Sequence, residues 1–151
     1  MTRLVSRPIL TAAALLLSAG TLASARGAVR ASQPAPWDRP SAHPDRVVLT
    51  WSGDPATTQS VTWRTDTTVD AARAQLAIAT DGPAIARGAV TVPATTERLD
   101  ATGAPGGGGV VHYHSAAFTG LHPDTLYAYR VGDGTRWSEW HQFRTASRRP
   151  E

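Results

Sequence analysis

Residues 111–145, VHYHSAAFTGLHPDTLYAYRVGDGTRWSEWHQFRT, constrain the fold more than any other stretch of this chain. They read as three consecutive antiparallel strands. Leu121, Pro123, Thr125 and Tyr127 recur at spacing two, and Tyr127, Tyr129 and Val131 then alternate with Ala128 and Arg130. That is the pattern of a tyrosine corner leading into a half-buried strand of a β-sandwich. In such a corner the tyrosine ring buries between two sheets while its hydroxyl bonds backbone a few residues upstream. Pro123 assists by fixing φ in the turn. Asp133-Gly134 supplies residues that accept positive φ and so closes the last hairpin.

The remaining strands follow from alternation. Over residues 46–51, Val47, Leu49 and Trp51 share one face; over 59–64, Val61 and Trp63 oppose Ser60, Thr62 and Arg64. The turn-rich Ser52-Gly53-Asp54-Pro55 joins them. Residues 73–79 (Leu76, Ile78) and 89–93 (Val90, Val92) give two more strands around Asp81-Gly82-Pro83, although the Ala-rich runs there imitate a helix. A short strand is expected near residues 96–99, followed by a flexible glycine-rich loop over 103–109. About seven short strands with turn signals every ten residues or so predict an all-β, two-sheet antiparallel sandwich.

Composition narrows what such a chain can do. Its 151 residues suffice for one domain of ordinary core size once a leader is removed. Residues 1–25 have the secretory layout: Arg3 and Arg7, an apolar run over 9–17, then Ala23-Ser24-Ala25, with cleavage expected before Arg26. The run is too short to span a bilayer. A secreted or periplasmic product follows. Residues 26–43 read as an extended Pro/Ala-rich linker, with Trp37 expected to dock locally; 44–146 form the sandwich and 147–151 a tail.

All fifteen basic residues are Arg, and Lys, Asn and Cys are absent, so neither disulfides nor N-glycans assist folding. The formal charge of +3 falls by the two units of Arg3 and Arg7 to +1 after cleavage. That near-neutral balance argues against nucleic acid as a partner.

Three sites suggest chemistry. His112 and His114, two apart in a strand, project from one face as two zinc ligands would. Their parity also carries Ala116 and Phe118, so the preferred reading is the partly covered end of a core-facing strand. The glycines 106–109 lack the helix and Lys of a phosphate-cradling loop. Trp137 and Trp140 are expected on opposite faces of the last strand, leaving one as an aromatic surface for docking a neighbouring domain or stacking on sugar.

Two segments go beyond a generic fibronectin type III-like sandwich: residues 49–63 (LTWSGDPATTQSVTW) and the 111–145 block. The Trp-containing strand start, the Leu121-x-Pro-x-Thr-x-Tyr127 corner and the Val131-Gly-Asp-Gly hairpin, in that order, resemble the N-terminal domain of the purple acid phosphatase family of secreted metallophosphoesterases. The resemblance covers about residues 44–145. It implies that chemistry belongs to a second, C-terminal domain holding two metals, expected where this chain stops at Glu151, and so a truncated or split product. It also implies a metallophosphatase catalytic domain as partner, in cis or as a separate chain, and self-association through a docking face left uncovered. The family's metal motifs are not found here. Gly53-Asp54 and Gly132-Asp133 are followed by Thr57 and Arg136 where the motif has Tyr, and a chain without Asn cannot form Gly-Asn-His-Glu. No catalytic, cofactor-binding or metal-ligating residue carries over, and no cofactor is expected in this chain itself. The competing expectation is an independent extracellular module that binds carbohydrate or a surface protein through Trp140.

Overall fold

The computed structural model describes residues 39–103 and 109–149, which hold eight strands in two antiparallel four-stranded sheets. The strands are β1 Asp45–Thr50, β2 Gln59–Thr65, β3 Arg73–Ile78, β4 Val90–Pro93, β5 Thr95–Asp100, β6 Val110–Phe118, β7 Leu126–Gly132 and β8 His141–Arg144. One sheet has the order β1-β2-β6-β5 and the other β4-β3-β7-β8. The expected leader, Trp37 and the glycines 106–108 lie outside the described residues. No described helix is long and apolar enough to cross a membrane.

Alternation places the core. Along β6 the even positions His112, His114, Ala116 and Phe118 are all buried, while Ser115 and Ala117 face outward. Val61 and Trp63 of β2 meet them from the adjacent strand, and Tyr127, Tyr129 and Val131 of β7 close the core from the opposite sheet. Val47 and Leu49 pack onto its margin while Val48 between them is exposed. Ser41 already belongs to this body, since its carbonyl accepts from Asp66 N at 2.8 Å.

The tyrosine corner is present: Tyr127 Oη accepts a hydrogen bond from His122 N at 2.9 Å. Thr145 locks the same turn, donating from Oγ1 to His122 O at 2.6 Å and accepting from Thr125 N at 2.9 Å. Asp124 at its apex has φ 49°, a conformation that Asp tolerates better than most residues. In the last hairpin Asp133 Oδ1 accepts from Thr135 N and Arg136 N at 2.8 and 2.6 Å. Gly132 is required there, because a Cβ would lie 1.9 Å from Arg136 O.

The three expected strands of the 111–145 block are present, β6 in the first sheet and β7 and β8 in the second, with residues 119–125 carrying the chain across. Three expectations need correction. The Ala-rich stretch between β3 and β4 does contain a helix, a 3-10 turn over Gly82–Gly88 begun by Pro83. Arg64 lies on the face opposite Val61 and Trp63 yet is 2 % exposed, because its guanidinium makes a two-point ion pair with Asp45 at 2.8 and 2.6 Å. Trp51 falls just past the end of β1 and is 74 % exposed rather than joining Val47 and Leu49.

Candidate functional site

The His112 and His114 pair is the densest polar feature inside the core. His114 is fully buried, with Thr65 Oγ1 2.8 Å from Nε2 and Thr96 Oγ1 2.9 Å from Nδ1. Thr65 donates its own hydrogen to Asp66 O at 2.9 Å, so it accepts from His114 Nε2–H. Thr96 then donates to Nδ1, and a neutral imidazole is satisfied at both nitrogens. Burial pushes its pKa down from 6.5 to about 4, with the neighbouring His112 adding to the effect and Asp70 opposing it. His112 Nδ1 donates to Val69 O at 2.9 Å. The two rings meet edge to face at 6.1 Å, and Trp63 lies 5.4 Å from His114.

These contacts make the pair a hydrogen-bonded plug of the interior. The strand parity is as expected, but the end of the strand is closed rather than partly covered. Among the described residues no three His, Cys, Asp or Glu side chains come together as a metal would need. The residues present therefore do not fit the dinuclear metal that the resemblance implies elsewhere. Thr65 lies beyond the strand expected over 59–64 and was missed, although it shares the parity of Val61 and Trp63, which could have found it. Thr96 comes from an exposed edge strand and left no such signal.

Trp137 and Trp140 do not flank a strand. β8 begins only at His141, and both indoles turn onto one side chain, each ring centroid 4.7 Å from the Arg130 guanidinium. Arg130 Nε donates to Gln75 Oε1 at 2.8 Å on the neighbouring strand. Neither Trp is in the core; both are half-buried. The clasp fixes the segment between β7 and β8 on the outer face of its sheet, and Ser138 adds two bonds to Val131.

The exposed apolar surface is elsewhere. Trp51, Ile78 and Val90 are 74, 55 and 66 % exposed. Ile78 and Val90 rim a groove of about 480 Å³ floored by Leu76, Val92, Phe118 and Leu121. Trp51 lines a second groove of about 480 Å³ with Leu49, Gln59, Phe143 and Arg144. Sequence alternation grouped Trp51 with Val47 and Leu49, and Ile78 with Leu76, because it does not report where a strand ends.

With this architecture established, sequence comparison gives the lineage. The family described as "Purple acid Phosphatase, N-terminal domain" matches residues 44–145, well over half of the chain. The chain belongs to this family. Among solved structures, a purple acid phosphatase from yellow lupin (Lupinus luteus) seeds superposes with a TM-score of 0.54 at 22% identity over 70% of this chain. The match spans 20% of the lupin chain, so this chain represents about a fifth of that enzyme's length. A computationally redesigned β-sandwich protein (21% identity, 70% of this chain, 96% of that one) and vertebrate astrotactin-2 (19%, 72% and 22%) give TM-scores of 0.44 and 0.45. A search of curated proteins found no match. The purple acid phosphatase N-terminal domain family is thus represented here by a two-sheet sandwich with a tyrosine corner and a tight closing hairpin.

Proposed function

We propose that the chain is the non-catalytic N-terminal module of a secreted purple acid phosphatase-like metallophosphoesterase, and that its work is to present a rigid face to the phosphatase domain and shape the approach to that domain's active site. The observation that carries this reading is the family match over residues 44–145 to a domain of that enzyme class. The interior supports it. The only buried imidazoles described are already engaged with hydroxyl and carbonyl groups, so no side-chain cluster is poised for phosphoryl chemistry. The two metals and the hydrolytic chemistry belong to the partner domain, in the same polypeptide or in a separate one.

Rigidity comes from the same features that define the fold. A cross-sheet aromatic stack of Phe118, Phe143, Tyr127 and Tyr129, with centroids 5.6 to 6.5 Å apart, joins β6 to β7 and β8. The sugar-binding alternative expected through Trp140 has less support, since that indole is half-buried with one face against Arg130.

The test is the intact mass of the native exported product, detected with an antibody to residues 44–145. A species above roughly 40 kDa, releasing phosphate from an aryl ester in a chelator-sensitive way, is the expected result. A species near the mass of this chain without its leader would overturn the reading.

A further inference from the structure

Register and strand order bring the ends of seven strands to one end of the sandwich. Thr50 pairs with Ser60, Gln59 with Phe118, Leu76 with Val90, Ile78 with Tyr127, and Leu126 with Arg144. The end so defined carries Trp51, Ile78 and Val90, three of the five exposed large apolar side chains among the described residues. Both grooves open there.

The described chain also leaves the sandwich at this end, and it leaves without slack. Ala146 N donates to Pro55 O at 3.0 Å, Asp124 N donates to Ala146 O at 3.1 Å, and Arg148 pairs with Asp54 at 3.1 Å. The Arg148–Asp54 and Arg144–Asp124 pairs, at 3.1 and 3.2 Å, belong to the same end. This end thus combines exposed apolar side chains, two grooves and charged pairs, the mixture of which protein–protein interfaces are made.

From these observations we infer that the chain-exit end, with Trp51 and Ile78 as its anchors, is the surface on which the phosphatase domain seats. The inference rests on the module reading above. The occupant is argued from two facts: the exit is pinned against the patch, so whatever follows Arg149 starts there, and the lupin enzyme carries four-fifths of its chain outside the matched sandwich. Trp51 supplies the largest single area to desolvate, and the grooves beside it and beside Ile78 accept side chains from the partner.

The experiment uses the full native gene product that carries this chain, expressed in its exporting host with a photocrosslinking residue at one position at a time: Trp51→p-benzoylphenylalanine, Ile78→p-benzoylphenylalanine and, on the remote edge strand β5, Glu97→p-benzoylphenylalanine. All three positions are exposed, so the core is untouched, and circular dichroism checks the fold. Irradiation should link positions 51 and 78, but not 97, to peptides of a dinuclear-metal phosphatase domain. Adding Trp51→Asp to the position-78 probe should lower that yield by about tenfold or more. Phosphatase adducts from position 97 alone would overturn the assigned face and leave the module reading intact. Absence of phosphatase adducts from all three, or adducts only to a second copy of this chain or to another protein, would overturn both.

Discussion

The two ends of one strand face show opposite solutions to burial. At the start of β6, His112 and His114 enter the core as polar groups and every imidazole nitrogen of His114 has a partner. At its finish, Phe118 joins the apolar cluster with Tyr129 and Phe143, and the neighbouring strands overhang it with exposed Ile78 and Val90. The first end is closed by the hydrogen bonds of His114, although Trp63 Nε1 is buried beside it with no hydrogen-bond partner among the described residues and Leu99, opposite Val111, is half exposed. The second is incomplete, because apolar surface remains in water. Packing closes at the first end, and the docking proposed above belongs to the second.

The comparison breaks most severely in the shared core. Trp63→Ala or Phe118→Ala should each lower stability by about 3–5 kcal/mol in urea unfolding, since each empties a fully buried aromatic site in a two-sheet stack. A loss below about 1 kcal/mol would show that the site collapses and that the core is loosely packed.

Between pH 6.5 and 4 acid acts on the histidine end. His114 takes up a proton near pH 6.5 when unfolded but only near pH 4 when folded, so the unfolded state binds more protons in between. Its contribution is fully present above pH 6.5, is lost progressively as pH falls towards 4, and changes no further below that. The loss is on the order of 3 kcal/mol across the window. His114→Leu should flatten this part of the stability profile, and an unchanged slope between pH 6.5 and 4 would contradict the closed, neutral imidazole.

Tyr127→Phe sharpens the other side of the comparison. It removes the bond from His122 N while leaving the ring in place, and should cost about 1 kcal/mol at the exit end without altering the acid response. Trp51→Ala should have the smallest effect on stability, within about 0.5 kcal/mol, because the indole is 74 % exposed. Its effect should appear in association instead.

The sequence made the closed features legible and the open ones less so. Tyr127, with Leu121 and Pro123 before it, predicted a specific backbone bond because the corner is local: five residues separate donor and acceptor. The alternation along β6 predicted that both histidines share the face of Phe118, since parity is a property of the strand alone. What parity cannot carry is the partner across the sandwich. Thr96 reaches His114 from 18 residues away, Arg130 gathers Trp137 and Trp140 because the chain bends before β8, and Trp51 is exposed because β1 ends one residue earlier. The assignment of β6 and β7 to different sheets likewise depends on the crossing at 119–125, which the strand pattern leaves open.

Solvent accessibility of Trp51 in the native product separates the two ends most directly. Hydroxyl-radical footprinting would compare the native product from its natural host with the recombinant 151-residue chain, using the buried Tyr129 as an internal reference. Strong protection of Trp51 in the native product, with full oxidation in the recombinant chain, is the predicted result. Equal oxidation of Trp51 in the two would mean that nothing covers the exit end, and the account of this sandwich as a docked module would be wrong.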